Sequence, residues 1–285
     1  MGATARSSEV AWIAADLAPG DAASPRFDTS GVRVRRIRSA DDPWFAPAYD
    51  RLWAEFGARR EMETREVIAS RLAWDPARPI GSYRYLYEML VVERREEVIA
   101  VRDHTAIAPA ETPPPRAVLV HLSHVLVEPP WRGTGIASWL RAFPLQAARE
   151  CAEAIGDPAG SITLVAEMEA PAEADAATLR RLASYGRAGF RTIDPARIRY
   201  AQPDFRGAAV MDAGGVTPVP LGLVIRRVGR ERDHQIRGDE VRAIVAALYE
   251  MFAVHVRPER MAPVWALYHE LPQPEDLLDL LSPVR

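Results

Sequence analysis

The sequence predicts an α/β protein of the α+β kind, with a hairpin-rich sheet flanked by helices and a helical C-terminal extension. Three observations predict it. Tyr83 to Glu93 and Val98 to Ile107 are two strand-like runs joined by the polar turn Arg94 to Glu97, which makes a hairpin. Val125 to Leu140 passes from the end of an apolar strand through Pro129 and Pro130 into Gly133-Thr134-Gly135 and then into a helix start. From Asp239 onward the apolar spacing turns helical, with Ile244, Leu248, Met251 and Phe252 on one face.

Taken in order, residues 1–30 mix Ala, Ser, Pro, Gly and Asp with little apolar content, which predicts a mobile or loosely docked tail. Val32 to Arg38 alternates as a half-buried strand should. Asp41-Asp42-Pro43 caps a helix whose apolar face is Trp44, Tyr49, Leu52, Trp53 and Phe56, and a second helix near Thr64 to Trp74 stops before Asp75-Pro76. After the hairpin, the proline-rich loop Pro109 to Pro115 leads into a strand from Ala117 to Val127 and its glycine turn. Pro144 should kink the helix that follows about two turns in. A turn at Gly156 to Gly160 precedes a strand from Ser161 to Met168, and Asp175 to Arg187 is a helix closed by Gly189. Strand-like pieces around Arg197 to Tyr200 and Leu221 to Val228 follow, then the terminal helices, the last from Met261 to Leu271. The predicted units are the tail, a domain over residues 31–230 and the extension over 231–285.

Composition narrows the chemistry. With 48% apolar and 26% charged residues the chain has material for a large core, and the net charge of -3 gives no general reason to bind nucleic acid. No apolar run approaches the roughly 18 to 20 residues needed to span a bilayer, and no basic start with an apolar core opens the chain, so a cytoplasmic protein without membrane contact is expected. One cysteine, Cys151, excludes an internal disulfide and a multi-thiolate zinc site. The chain has no lysine, so all 36 basic residues are arginine. A Schiff base, a P-loop lysine and a lysine general base are therefore impossible, because arginine stays protonated at any working pH. The Ala-, Arg-, Pro- and Gly-rich bias, without lysine or asparagine, suggests a GC-rich bacterial genome.

The glycine turn is the strongest local signal. Glycines reach backbone angles that other residues avoid and leave no side chain between the backbone and a ligand. The first amides of the new helix lack internal partners, so they suit a phosphate. A dinucleotide-binding turn wants G-x-G-x-x-G or A, and Gly133-Thr134-Gly135-Ile136-Ala137-Ser138 misses the last position and follows a hairpin, not a βαβ unit.

Val127-Glu128-Pro129-Pro130-Trp131-Arg132-Gly133-Thr134-Gly135-Ile136-Ala137 resembles the acyl-CoA pyrophosphate loop of the GNAT superfamily of N-acetyltransferases. Arg181-Leu182-Ala183-Ser184-Tyr185-Gly186-Arg187-Ala188-Gly189-Phe190 is similar to that family's later helix, which ends in Tyr, three residues, then Gly-Phe. The element order between 32 and 230 also fits. The resemblance implies a mixed, strongly twisted, mostly antiparallel sheet and an acetyl-CoA site. Backbone amides from Arg132, Gly133, Thr134, Gly135, Ile136 and Ala137 would hold the pyrophosphate, with Leu126 and Val127 on the pantetheine arm. Two departures stand out: Pro130 replaces a Gln or Arg, and Thr178 an Asn.

Acetyl transfer to an amine needs a neutral nucleophile and a proton for the departing thiolate. By resemblance Tyr185 supplies that proton, and His121 stands where many members carry a glutamate base. Imidazole titrates near neutrality, which suits the role. Folding the strands about Thr112 brings Asp103, His104, His121 and His124 together with Ser123 between, although strand alternation separates the faces unless a bulge intervenes. No metal site is expected from them. Glu167, sharing a strand face with Glu169, is the reserve base. Tyr83, Tyr85 and Tyr87 share a face, and Tyr85 is a candidate wall of the acceptor pocket. Asp103, His104, Ser123 and Tyr85 are thus the candidate acceptor contacts. Cys151 is poorly placed for a covalent intermediate.

The expected activity is acetyl transfer from acetyl-CoA to a primary amine of a small molecule or peptide, directly within a ternary complex. The competing reading is a non-catalytic acyl-CoA-binding regulatory or sensing module whose C-terminal helices engage a partner. The face from Ile244 to Phe252 suits either core packing or a homodimer interface.

Overall fold

The computed structural model describes residues 8–23, 27–111, 117–169 and 176–284. The loop about Thr112, Asp175 and, in the predicted tail, residues 1–7 and 24–26 lie outside them. The chain builds an eleven-stranded sheet from β1 (Ser8–Glu9), β2 (Val32–Ile37), β3 (Tyr83–Arg94), β4 (Glu97–Pro109), β5 (Ala117–Val127), β6 (Ser161–Met168), β7 (Arg191–Ile193), β8 (Tyr200–Gln202), β9 (Val219–Arg227), β10 (Gln235–Arg237) and β11 (Leu277–Leu281). Its order is β1-β2-β3-β4-β5-β6-β9-β7-β11-β10, with β8 on β9. Every pairing is antiparallel except β5 with β6. The mixed, mostly antiparallel sheet expected from the sequence is therefore present.

The helices are α1 (Pro19–Ala22), α2 (Phe45–Phe56), α3 (Arg65–Arg71), α4 (Ile136–Leu140), α5 (Pro144–Ala154), α6 (Ala176–Arg187), α7 (Ala208–Gly214), α8 (Gly238–Ala253) and α9 (Pro258–His269). They cover the two sheet faces. On β3, Tyr85, Tyr87, Met89 and Val91 join a core with α2, α3, α8 and α9, whereas Leu86, Leu90 and Val92 face α4 and α5. Burial on both faces explains why β3 reads as a nearly unbroken apolar run. No helix among the described residues is long and apolar enough to cross a membrane.

The hairpin turn is made by Arg95 and Glu96, both in the left-handed region at φ 52° and 67°. Such a two-residue turn needs positive φ at both centres to match strand twist. In α2 the buried face is Phe45, Ala48, Tyr49 and Leu52, and Trp53 is 41% exposed, one position off the predicted stripe. Pro144 breaks the helix and does not merely kink it. A proline lacks the N–H a helix interior needs but is at home at the first helical position, so α4 ends at Leu140 and Pro144 opens α5.

The piece expected around Arg197 to Tyr200 resolves into β7 before Asp194-Pro195 and β8 after it. The extension carries α8 and α9 but also two strands. Leu278 and Leu280 are buried, and β11 pairs with β7 through Leu280↔Ile193. Leu-Leu-Asp-Leu-Leu does not alternate, so the segment has no strand signature until a neighbour supplies the ladder. The face from Ile244 to Phe252 is buried within the chain.

Part of the stretch read as a tail also meets the domain. β1 pairs with β2, Asp16 pairs with Arg149 at 2.5 Å, and Asp21 pairs with buried Arg141 at 2.6 Å. These contacts are polar and distant in sequence, so no apolar periodicity announces them.

Candidate active site

The parallel ladder of β5 and β6 runs from Ala117↔Ser161 to His121↔Val165 and stops. Beyond it β6 follows β9 to Met168↔Gly222 and β5 follows β4 to Val127. The sheet splays between them, and two cavities meet at the opening, sharing Phe56, Arg102, Val125, Arg181 and Tyr185 in their walls.

The larger cavity, about 800 Å³, runs from the splay to the glycine turn. Leu126, Val127, Arg132, Gly133, Gly135, Ile136 and Ala137 line it. Gly133 and Gly135 adopt φ 80° and 91°, angles that other residues take only under strain. A Cβ at Gly133 would meet nothing within 4 Å, so the backbone lies open to a ligand. Thr134 does not line the cavity with its side chain. Its hydroxyl donates to the Trp131 carbonyl at 2.7 Å and pins the turn, while Arg132 Nε donates to the Val127 carbonyl at 2.9 Å. α4 has five residues, too short for much of a helix dipole, so charge must come from side chains. It does: among the described residues Arg59, Arg102, Arg132, Arg141, Arg180, Arg181 and Arg187 line this cavity against one acid, Glu55. The α6 arginines, Arg180 and Arg187, were not singled out in the sequence, where they look like an ordinary solvated helix face.

The smaller cavity, about 100 Å³, is lined by His121, Ser123, His124, Glu61, Glu63, Glu167 and Glu169 with Phe205 and Phe252. Two candidates for the base touch. His121 Nε2 lies 2.8 Å from Glu167 Oε2, Glu167 Oε1 accepts the Tyr200 hydroxyl at 2.6 Å, and Ser123 Oγ is 3.1 Å from His121 Nδ1. Burial raises the Tyr200 phenol well above its ordinary value, with Glu167 adding to the effect, so it stays protonated and donates. A carboxylate only accepts, which puts the His121 proton on Nε2 and leaves Nδ1 as the basic nitrogen beside Ser123.

A register shift makes this arrangement possible. Asp103 pairs with His124 and Thr105 with His121, two steps on β4 against three on β5. The bulge puts His121 and His124, an odd number apart, in the wall of one cavity.

Four predicted acceptor contacts are placed differently from one another. Ser123 lines the small cavity. Asp103 does not; it is fully buried and accepts from Tyr87 Oη at 2.8 Å, the His124 amide at 2.7 Å and His124 Nδ1 at 3.0 Å. Burial alone would raise its carboxyl, but His124 and these bonds outweigh that and hold it at about 2. Burial likewise pulls His124 down, and Asp103 outweighs it to bring the ring to about 9. His124 Nε2 faces the Glu61 carbonyl at 2.9 Å, so both ring nitrogens face acceptors and the ring is an imidazolium. His104 is sealed from both cavities, 3.2 Å from buried Glu88, because it falls on the opposite side of β4 from Asp103. Tyr85 packs on Trp74 at 4.9 Å in the core and lines neither cavity, so it is not a wall of the acceptor pocket.

Tyr185 stands in the shared wall, its ring edge-on to Phe190 at 4.8 Å and under the Arg141 guanidinium at 5.4 Å. Cys151 is buried in the core, where burial pushes its thiol up to about 12. Among the described residues no group of three or more His, Cys, Asp or Glu is placed to hold a metal ion.

No protein-family model and no curated protein sequence matches the chain. Solved structures similar to it include a tandem GNAT protein from the clavulanic acid biosynthesis pathway, 19% identical over 84% of this chain and 65% of that one, with a TM-score of 0.39. An aminoglycoside acetyltransferase from an uncultured soil metagenomic sample is 13% identical over 56% of this chain and 88% of its own, at 0.33. An acetyltransferase of the GNAT family from Streptococcus pneumoniae is 10% identical over 69% and 99%, also at 0.33. Likeness of this degree concerns outline, and the chemistry of the site rests on its own residues.

Proposed function

We propose that this chain is an acyl-CoA-dependent N-acyltransferase of GNAT type that moves an acetyl group from acetyl-CoA to an amine. One observation carries the reading: a long arginine-lined cavity ending at an open glycine turn meets, at the splay of β5 and β6, a small cavity holding an oriented histidine. A cavity of about 800 Å³ is large enough for an extended cofactor, and its arginines suit a pyrophosphate. The turn amides from Arg132 to Ala137, with Arg132, Arg180 and Arg187 nearby, would hold the phosphates; Val125 to Val127 would bond the pantetheine arm.

Acetyl-CoA, when bound, supplies an activated thioester at the shared wall. Within the small cavity the acids attract an ammonium group, and His121 Nδ1 takes its proton directly or through Ser123. Glu167, held by Tyr200, fixes the tautomer and steadies the resulting imidazolium. Tyr185, which reaches both cavities, donates to the departing thiolate. Catalysis would proceed by direct transfer, since Cys151 is buried and lines neither cavity.

The test is binding followed by turnover. Acetyl-CoA at about a hundred-fold excess over its dissociation constant should stabilise the fold by roughly 2.7 kcal/mol, seen as a rise in Tm. A panel of amines should then release free thiol. No shift at millimolar ligand would reject the cofactor; binding without turnover on any amine would favour the sensing module.

A further inference from the structure

We infer that the acceptor is an α-amino acid, or a molecule ending in one, whose carboxylate is seated on Arg102. The inference rests on the small cavity being the acceptor site.

Arg102 lies in mid β4, opposite Leu90 of β3 and Val125 of β5, and is 1% exposed. Its guanidinium makes no hydrogen bond or ion pair with any described residue, and its Nε is buried without a partner. The other buried arginines are all paired: Arg71 with Glu63, Arg141 with Asp21, Arg226 with Glu231 and Arg227 with Glu240. A guanidinium cannot shed its proton to escape the cost of burial, so it needs an anion. Its charged neighbours do not supply one. Arg141 repels it, and Asp103 is already committed to Tyr87 and His124.

Position decides which anion. Arg102 belongs to the wall that both cavities share, where the acyl group would change hands. A carboxylate held there would sit beside an amine lodged in the small cavity, as the two groups of an α-amino acid do. The same cavity carries the complementary charge. Glu61 lines it with a carboxylate that makes no hydrogen bond or ion pair with a described residue, and burial beside Glu169 raises its proton affinity. An ammonium group would relieve Glu61 as a carboxylate would relieve Arg102. The enclosed space, about 100 Å³, suits a small amino acid or the amino-acid end of something longer.

The experiment compares α-amino acids with their own amides as acceptors, using the full chain and acetyl-CoA and following thiol release. Wild type should prefer the acid over the amide by about 10- to 100-fold in kcat/KM, the worth of one charge-assisted hydrogen-bonded contact, and Arg102→Gln should level the two. Equal use of acid and amide by wild type, or a preference that survives in Arg102→Gln, overturns the proposal. So does tighter binding of succinyl-CoA than of its neutral near-isostere butyryl-CoA that is lost in Arg102→Gln, because the carboxylate would then belong to the donor. Should Arg102→Gln not fold, Arg102→Lys keeps the charge and loses the fork, and should retain part of the preference. The acid-to-amide comparison on wild type needs no variant. Where acetyl-CoA gives no Tm shift the cofactor reading fails by itself, and a Tm shift with amino acid but not amide still reports on Arg102.

Discussion

His121 and Glu167, from different strands and 46 residues apart, meet at 2.8 Å where the sheet opens, His121 on the last rung of the parallel ladder and Glu167 two residues past Val165, the partner of His121 on that rung. The contact turns two separate candidates for a base into one device with divided roles. Glu167 has both oxygens engaged, by His121 and Tyr200, so on the proposed function it would orient the ring, and His121 Nδ1, beside Ser123, would take the proton.

That division gives a ranked outcome. His121→Ala should lower kcat/KM for acetyl transfer by about 10²- to 10⁴-fold, the range for loss of a general base. Glu167→Gln should cost less, since the imidazole remains. Tyr185→Phe should lower kcat with little change in acetyl-CoA affinity, because the ring is retained. Steady-state kinetics and a binding titration on each variant check this; unchanged rates in both His121→Ala and Tyr185→Phe would remove the assignment.

The Asp103–His124 pair should be visible in the pH dependence of stability. His124 titrates at about 9 in the fold against an ordinary value of 6.5. A raised folded value means that the stabilisation is fully present below the unfolded value and fades as pH climbs through the folded one. Tm should therefore fall between about pH 6.5 and 9 in wild type. In His124→Gln, which cannot be charged, that part of the decline should vanish, and a parallel decline in both proteins would contradict the pairing.

Arg71 and Glu63 form a buried ion pair beneath α3, with the guanidinium 5.5 Å from the Trp74 ring and 5.9 Å from Phe252. Glu63→Ala leaves that charge without its partner and should cost about 3 to 5 kcal/mol in denaturant unfolding, the usual penalty for halving a buried pair. A loss below about 1 kcal/mol, the scale of an exposed pair, would mean that water already reaches Arg71.

By itself the sequence determined most of the elements and the glycine turn. Alternation and apolar spacing report local geometry, so the hairpin, the Ala117 to Val127 strand, α6 and α8 could be read directly, and Gly133 and Gly135 announced a backbone that other residues would strain to adopt. Only the tertiary structure decided which polar residues share a cavity. One extra residue on β5 between His121 and His124, opposite the step from Asp103 to Thr105, put both histidines into one cavity wall, and period-two patterning carries no trace of such a shift. Arg102 is the clearest case. In sequence it is one of 36 arginines, and it becomes distinctive only because it is buried without a hydrogen-bond partner while Asp103, the acid that acts on it, already belongs to Tyr87 and His124.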